Sequence, residues 1–268
     1  MRPLLKEVLP PAVIRLCLTY LNTRYGFHGN YSSWGDARSN SHGYDHEAIL
    51  TKVKEAALRV RNGEAAFELD SVLYPHPFYS WPILAGLMRI ASLNHNRLHV
   101  LDFGGSLGST YYQHRNFLGS LSELRWAVVE QENFVRCGKA EFEDVHLRFY
   151  YDLTTCASQE DVQVILLSSV LPYLEKPYDL LREILSLKIK HVIIDRHPLL
   201  PSSSQDRLTV QRVRPSTYRA SYPAWFFSKQ KFFQFVLEAY RIVAAFDCPL
   251  WSNLRCEWKG FVLENRST

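Results

Sequence analysis

The sequence predicts an α/β protein: a Rossmann-like sheet of five parallel strands with helices on both faces, closed by a C-terminal antiparallel hairpin. Three observations predict it. Five short apolar runs alternate with helix-like segments between residues 98 and 195, as crossover connections in a parallel sheet require. The first run ends in a glycine-rich turn. Finally, the strand-like runs 241–246 and 258–264 follow each other without an intervening helical pattern, which predicts a hairpin.

Composition bounds the class of protein. The 268 residues are 47% hydrophobic and 22% charged, which is ordinary for a globular protein with a sizeable core. A net charge of only +4, without a lysine- or arginine-dense tract, argues against nucleic-acid binding. No apolar run reaches the roughly 20 residues of a membrane span. The scattered cysteines lack CxxC spacing and favour reduced thiols in a cytoplasmic protein over a disulfide framework or a metal site. They are Cys17, Cys137, Cys156, Cys248 and Cys256.

Two parts are predicted along the chain, an N-terminal helical extension with an aromatic loop at 1–80 and the Rossmann-like domain at 81–268. Residues 1–24 are basic and apolar, and they either pack as a helix on the main domain or lie peripherally on an anionic membrane surface. Residues 25–48 are rich in Gly, Ser, Asn and aromatic residues, which predicts a loop followed by a helix start.

Within the main domain the predicted elements come in a regular order, interrupted by one insertion. The insertion is an irregular, arginine-containing stretch at 196–224, and a loop of this length in a compact domain is usually functional or disordered. Predicted strands are 98–103, 125–130, 146–151, 162–167 and 190–195. One helix is predicted to begin near residue 81, and four more are predicted at about 109–118, 133–141, 176–187 and 228–240.

The glycine turn, LHVLDFGGSLGST at 98–110, is the first candidate for a binding site. In open parallel sheets, ligands bind at the carboxyl ends of the strands, and glycines there let backbone N–H groups approach the ligand. The phosphate-binding pattern GxxxxGK[ST] is absent. The dinucleotide pattern GxGxxG is not met either, because neither Gly104 nor Gly105 has a glycine two residues further on.

The run Val-Leu-Asp-Phe-Gly-Gly-Ser-Leu-Gly resembles the first motif of class I S-adenosylmethionine-dependent methyltransferases. Gly104 and Gly108 match two of its glycines, while Ser106 stands at the middle glycine position. The resemblance implies S-adenosylmethionine as cofactor, with Asp102 near its methionine part. The cofactor-binding residues that it implies in this turn are Asp102, Phe103, Gly104, Gly105, Ser106 and Gly108.

Further matches follow in order. Glu130, with Gln131 beside it, ends the second strand, where the resemblance implies hydrogen bonds to the ribose hydroxyls. Asp152 follows the third strand, where adenine contacts are implied. The run VILLSSVLPYLEKPYDLL resembles the fourth motif, which implies cofactor contacts from Ser168 and Ser169 at the strand tip. The terminal hairpin matches the reversed seventh strand of this fold.

A wider resemblance covers nearly the whole chain. Its segments GNYSSWGDA, GYDHEAIL, SWPILA, LDFGGSLGS and YPAWFF are similar in order and spacing to a family of bacterial methyltransferases associated with surface polysaccharide biosynthesis. The resemblance implies methyl transfer as the reaction class, but it implies no substrate, because the acceptor of that family is not defined. Our hypothesis is that the acceptor is a hydroxyl or an amine of a glycan or of its activated precursor.

Candidate catalytic and acceptor-binding residues lie after the fourth and fifth strands. An oxygen acceptor must lose its proton, and His197 is the best-placed base, with Asp195 orienting it or acting alone. A solvent-facing loop position is the alternative for His197. Tyr173, Tyr222 and Trp225 either form an aromatic acceptor platform or simply pack. The arginines of 196–219 suit an anionic acceptor, such as a nucleotide-sugar or phosphorylated glycan, or belong to a solvated loop.

Two other functions stay open at this point. The serine in the glycine turn and the lack of an obvious base suit a non-catalytic scaffold or binding protein of this fold in polysaccharide assembly. A nicotinamide-dependent oxidoreductase is less consistent with the glycine spacing. The oligomeric state is left open.

Overall fold

A ten-stranded mixed sheet organises the computed structural model, which describes residues 24–41, 46–69, 71–76, 78–215, 217 and 220–267. Its strands are β1 (Gly26–Tyr31), β4 (Arg97–Phe103), β5 (Glu123–Val129), β6 (Leu147–Tyr150), β7 (Val164–Ser168), β8 (His191–Leu200), β9 (Arg207–Arg212), β10 (Ser221–Ser228), β11 (Tyr240–Asp247) and β12 (Glu257–Asn265). A separate hairpin pairs β2 (Phe67–Leu69) with β3 (Val72–Tyr74). The helices are α1 (Trp34–Ser39), α2 (His46–Arg61), α3 (Trp81–Leu93), α4 (Ser109–Leu118), α5 (Glu132–Glu141), α6 (Leu153–Gln159), α7 (Pro177–Ser186) and α8 (Lys229–Ala239).

The centre of the sheet has the predicted topology. Its five parallel strands lie in the order β6-β5-β4-β7-β8. β12 runs antiparallel to β8 and pairs with β11, also antiparallel. The prediction of five parallel strands plus a reversed C-terminal hairpin is confirmed, and it gives the chain the class I methyltransferase fold that the glycine motif implied.

Helices cover both faces of this sheet, as predicted. Successive side chains of a strand point to opposite faces, so Ile193 packs in the core beneath α2–α5, whereas Val192 and Ile194 pack beneath α6–α8. α3 approaches the sheet closely at Gly86, where an added Cβ would lie 3.1 Å from side-chain atoms of both Ile193 and Val262. The carboxyl ends of the parallel strands lie together between the two cores along one side of the sheet, which we call the carboxyl edge.

A three-stranded antiparallel layer extends the sheet beyond that edge. β9 pairs with β1 and with β10, both antiparallel. β10 joins β8 through two parallel positions, Phe227 with Leu199 and Ser228 with Leu200. At Leu199, β12 pairs with one side of β8, so β10 pairs with the opposite side. That opposite side is the one that β7 uses over residues 191–195, and β10 therefore lies past the carboxyl end of β7.

Two sequence predictions are wrong in this layer. The range 25–48 was expected to be a loop before a helix, yet it contains β1 and α1. The range 196–224 was expected to be irregular, yet it contains the end of β8, all of β9 and half of β10. β1 pairs with β9 far along the chain, and β9 pairs with β10 across an irregular connection, so local composition did not indicate these strands.

A bulge interrupts β8 at Arg196. Ile194 pairs with Phe261 and His197 pairs with Lys259, so Asp195 and Arg196 together oppose Gly260. Arg196 has a φ of 53°, in the left-handed region that favours glycine. A bulge of this kind shifts the alternation of side chains by one residue. Ile194 and His197 therefore face the same core, although a regular strand would put them on opposite faces.

The N-terminal predictions are tested only in part. The predicted helix or membrane-surface segment at 1–24 lies outside the described residues except for Arg24, and the predicted boundary at residue 80 stays a prediction. Along the described ranges, no helix has both the length and the apolarity that crossing a bilayer requires.

Candidate functional site

The glycine turn joins β4 to α4 at the carboxyl edge of the sheet. Gly104 and Gly108 have φ values of 73° and 90°, which a side chain rarely adopts. Gly105 has no such φ, but an added Cβ would lie 2.5 Å from Cγ of Asp102. Glycine is therefore needed at 104 and 108 for backbone conformation and at 105 for space.

Ser106, at the middle glycine position of the motif, also adopts the left-handed conformation, with a φ of 56°. Such a φ costs a residue with a side chain about 1–2 kcal/mol. The turn thus keeps the backbone shape that the motif's glycine would give, with a serine in that position.

Asp102 is the second-last residue of β4, beneath the turn, and is only 1% exposed. Its Oδ2 accepts a hydrogen bond of 3.1 Å from Nε1 of Trp126 on the neighbouring strand β5. Burial raises the pKa of Asp102 to about 7 and the nearby Glu130 adds to this, while the Trp126 bond and the charge of Arg196 oppose it. Sequence reasoning missed the role of Trp126, because the pairing of β4 with β5 creates it.

Glu130 follows β5 and ties the turn to the start of α5. Its carboxylate accepts the backbone N–H of Gln131 at 2.7 Å and also the backbone N–H of Ser106. Burial raises its pKa, and these two hydrogen bonds counteract the rise. A carboxylate offers about four acceptor positions, so Glu130 can accept two further hydrogen bonds from a ligand.

Asp152, the predicted adenine-binding residue, caps α6. Its carboxylate accepts the backbone N–H of Thr155 at 2.7 Å and the Thr155 hydroxyl at 2.9 Å. These bonds lower its pKa. Capping accounts for the aspartate without a ligand, and its contact with adenine stays a prediction.

Glu68 lies beside the turn, although no sequence signal indicated it. It is buried on β2 and accepts hydrogen bonds from the backbone N–H of Ser71 at 3.1 Å and from the hydroxyl of Ser109. Ser109 is the first residue of α4, so the β2–β3 hairpin brings a carboxylate to the helix that follows the turn.

A second polar cluster lies across the edge, at the ends of β7 and β8. The buried carboxylate of Asp195 accepts hydrogen bonds from the Ser168 hydroxyl at 3.0 Å and from Sγ of Cys248 at 3.3 Å. Arg196 contacts both Asp195 and Ser168. Ser169 donates its backbone N–H to the carbonyl oxygen of Asp195 at 3.0 Å. The structure thus brings Ser168, Ser169 and Asp195 together, as predicted, and adds Arg196 and Cys248.

The pairing of His197 with Asp195 is contradicted, and so is the alternative of a solvent-facing loop. His197 is 1% exposed and its ring stacks between Phe227 and Phe232, each with a centroid distance of 4.3 Å. Neither ring nitrogen has a hydrogen-bond partner among the residues that the structure describes. Burial lowers the pKa of His197 to about 3. The bulge at Arg196 causes this outcome, because it turns His197 into the α8 core.

The predicted aromatic platform is divided. Tyr173 and Tyr222 meet edge to face at 5.3 Å, and the Tyr173 hydroxyl donates to Oε1 of Gln211 at 2.8 Å. Trp225 instead stacks on Trp34 of α1, 6.4 Å away. Tyr222 and Trp225 are three residues apart on β10, and the two-residue period of a strand puts them on opposite faces.

The edge therefore carries two chemically different halves. The turn side carries the carboxyl groups of Asp102, Glu130 and Glu68, and the β8 side carries the guanidinium of Arg196 paired with the carboxylate of Asp195. Across the ranges that the structure describes, no group of three or more His, Cys, Asp or Glu side chains is arranged to hold a metal ion.

Comparison of the sequence with protein-family models gives no match, and comparison with curated protein sequences gives none either. Among solved structures, the N-terminal domain of EvdMO1, determined in the presence of SAH and D-fucose, is 14% identical, with a TM-score of 0.48 over 84% of this chain and 98% of that one. The Burkholderia thailandensis 1,6-didemethyltoxoflavin-N1-methyltransferase, with bound S-adenosylhomocysteine, is 12% identical, with a TM-score of 0.41 over 83% and 91%.

The glycopeptide N-methyltransferase MtfA, complexed with S-adenosyl-L-methionine, is 8% identical, with a TM-score of 0.45 over 67% of this chain and 94% of that one. Because all three TM-scores are below 0.5, these similarities identify neither a cofactor nor an acceptor for this chain.

Proposed function

We propose that the protein is an S-adenosylmethionine-dependent methyltransferase that binds its cofactor at the glycine turn and Glu130. The observation that carries the proposal is the placement of this turn. It follows β4, the first of the five parallel strands along the chain, in a sheet with a reversed C-terminal strand, and its Ser106 N–H is held by Glu130, which directly follows the adjacent strand β5.

The residues at the turn fit such a cofactor. Because Gly105 has no Cβ, the turn packs directly against the Asp102 carboxyl group. Glu130 keeps acceptor positions for a pair of ribose hydroxyls. The carboxyl groups on this side suit the positive charge of a sulfonium and an ammonium group.

In this proposal the protein acts mainly by positioning. When bound, S-adenosylmethionine supplies an electrophilic methyl group, which an acceptor attacks in line. The turn and Glu130 fix the donor, and the β8 side with its antiparallel layer holds the acceptor at attack distance. His197 is buried between two phenylalanine rings and takes no proton, which leaves Asp195, acting alone, as the predicted group that would take the acceptor's proton.

The finer proposal is that the acceptor is a hydroxyl or an amine of a surface glycan or of its activated precursor, in the cytoplasm. The resemblance of the whole chain to methyltransferases associated with surface polysaccharide biosynthesis supports it. The Tyr173–Tyr222 pair also supports it, since aromatic faces pack well against sugars.

Calorimetric titration with S-adenosylhomocysteine tests the cofactor. We expect the wild-type protein to bind it and Glu130→Ala to bind at least tenfold more weakly, because two charge-assisted hydrogen bonds are lost. Glu132→Ala is the matched control, since this exposed residue opens α5 two positions away. Absence of binding to the wild type, or equal affinity of Glu130→Ala, would refute the proposal.

The burial of His197 favours a second candidate, a non-catalytic binding protein of the same fold in polysaccharide assembly. The two candidates differ in one measurement. Transfer of a labelled methyl group from S-adenosylmethionine to any member of a panel of sugars, sugar phosphates and nucleotide-sugars supports the enzyme. Cofactor binding without transfer to any of them supports the binding protein.

A further inference from the structure

We infer that Arg196 forms an anion-binding subsite that holds a carboxylate or a phosphate of the acceptor. The inference rests on the proposed function, because it specifies what the acceptor side of that site recognises. It starts from the conformation of Arg196, which lies within a strand yet has a left-handed φ of 53°. A conformation that disfavours arginine persists only where the surroundings enforce it, and such strain gathers at ligand sites.

The surroundings do enforce it. Nε of Arg196 lies 3.1 Å from Oδ2 of Asp195, and Nη2 donates to Oγ of Ser168 at 2.9 Å. Asp195 is itself held by Ser168 and by Cys248, on two further segments of the chain. The guanidinium is thus anchored through Nη2 by its hydrogen bond to Ser168, while Nε faces the Asp195 carboxylate in an ion pair without making a hydrogen bond to any described residue.

The edge of the guanidinium formed by Nη1 and Nη2 remains available. Among the described residues no acceptor contacts Nη1, and the side chain is 26% exposed. A guanidinium edge with two parallel N–H groups matches a carboxylate or a phosphate in a bidentate geometry. Because the side chain is already ordered, binding costs little further side-chain entropy.

The position of Arg196 assigns this subsite to the acceptor. The residue ends the parallel part of β8, beside Ser168 of β7, and its charge reaches Asp102 under the glycine turn. The antiparallel layer continues from the same strand toward Tyr173 and Tyr222. An anion at Arg196 therefore lies between the turn and this layer, where the acceptor must enter. The carboxyl groups across the edge repel an anion and keep it on this side.

The ligand class is a sugar that carries a negative group, either a uronic acid or a sugar phosphate. These share the chemistry that Arg196 recognises, and three probes of similar size separate them. The probes are glucuronate, glucose 1-phosphate and neutral glucose, each titrated by calorimetry into the protein saturated with S-adenosylhomocysteine.

The decisive variant is Arg196→Gly, because glycine accepts the left-handed φ and preserves the bulge while removing the guanidinium. Arg196→Lys keeps the charge but loses the bidentate edge. Arg182→Gln is the control, an exposed arginine on α7 whose ion partner is Asp179 three residues earlier. Thermal unfolding of each variant verifies the fold, and Ser168→Ala, which frees Nη2, gives a second test in a less perturbed protein.

We expect at least one anionic probe to bind the wild type at least tenfold more tightly than glucose. Arg196→Gly should lose this preference, Arg196→Lys and Ser168→Ala should reduce it, and Arg182→Gln should keep it. Affinity for S-adenosylhomocysteine should stay within about twofold in Arg196→Gly, Arg196→Lys and Arg182→Gln. If glucuronate and glucose 1-phosphate are preferred over glucose to the same extent, Arg196 forms a general anion subsite. If only one of them is preferred, that probe identifies the anionic group of the acceptor.

Three results would overturn the inference: no preference for either anion, a preference that survives in Arg196→Gly, or a tenfold loss of S-adenosylhomocysteine affinity in Arg196→Gly, which would assign Arg196 to the cofactor. Failure of the proposed function has a different signature, since the wild type would then not bind S-adenosylhomocysteine at all. The probes are in that case titrated into the protein alone, and Arg196 is still judged by the same comparison.

Discussion

The glycine turn after β4 and the bulge in β8 lie at the same edge of the sheet, and each holds a non-glycine residue in the left-handed conformation. Ser106 has a φ of 56° in the turn and Arg196 a φ of 53° in the bulge. The turn is made by consecutive residues and can be read from their spacing. The bulge exists because the register between β8 and β12 shifts by one residue at Arg196. No local sequence pattern reveals this shift.

The two regions also differ in charge. Carboxyl groups surround the turn, whereas the bulge presents a guanidinium held by one buried aspartate. In our proposals this difference directs a cationic cofactor to the turn and an anionic acceptor to the bulge. Substitutions on each side can therefore separate cofactor binding, acceptor binding and stability.

The largest expected effect belongs to the turn and depends on pH. Asp102 has an ordinary pKa of 3.8 and a folded-state pKa of about 7. The folded protein thus binds a proton that the unfolded chain releases, and stability falls as the pH rises through this window. Between pH 4 and pH 8 the loss is about 4 kcal/mol, and Asp102→Asn should lack it. Urea unfolding of both proteins across this range checks the difference, and parallel pH profiles would contradict it.

Gly105 tests whether the turn needs space rather than backbone freedom. Gly105→Ala puts a Cβ against the Asp102 carboxyl group and should cost about 2 kcal/mol of unfolding free energy, with weakened binding of S-adenosylhomocysteine. Gly63→Ala is the matched control, because Gly63 has a φ of 78° and no atom near its Cβ position. It should cost about 1 kcal/mol and leave binding unchanged. Equal effects on binding would remove the steric explanation.

His197 tests the bulge side. Burial lowers its pKa from 6.5 to about 3, so the unfolded chain takes up a proton that the folded protein refuses. Stability is therefore lost as the pH falls below 6.5, by about 2 kcal/mol between pH 7 and pH 5. His197→Phe, which keeps a ring between Phe227 and Phe232, should remove this loss and should not reduce methyl transfer. A large drop in transfer by a well-folded His197→Phe would return His197 to the list of bases.

Ser106 gives the smallest expected effect. Ser106→Gly restores the glycine of the motif and relieves the left-handed strain. Glycine also gives the unfolded chain more conformational freedom, which offsets part of the gain, so the net gain in unfolding free energy is about 0.5 kcal/mol. Its N–H to Glu130 is kept, so binding of S-adenosylhomocysteine should not change. Lys188→Gly, at an exposed residue with a φ of 54° after α7, should gain as much. A loss of binding by Ser106→Gly alone would show that the hydroxyl contacts the cofactor.

Much of the central sheet was predictable. The observed β4, β5, β6 and β7 match the predicted strands within two residues at each end, and α4 has the predicted bounds. Each of these elements has its own apolar period or its own glycines, so nearby residues determine it. The structure also places the predicted Asp102, Glu130, Ser168 and Asp195 at one edge, because strands of a parallel sheet end on the same side.

By itself, the sequence determined the five parallel strands, the reversed hairpin, and a glycine turn directly after Asp102. Only the tertiary structure decided that His197 is buried, that Tyr222 and Trp225 face opposite ways, and that β1 joins β9 and β10. The physical reason is that a strand's side chains change faces when its register shifts by one residue. That register depends on partners far along the chain, whereas a glycine turn depends on its own backbone.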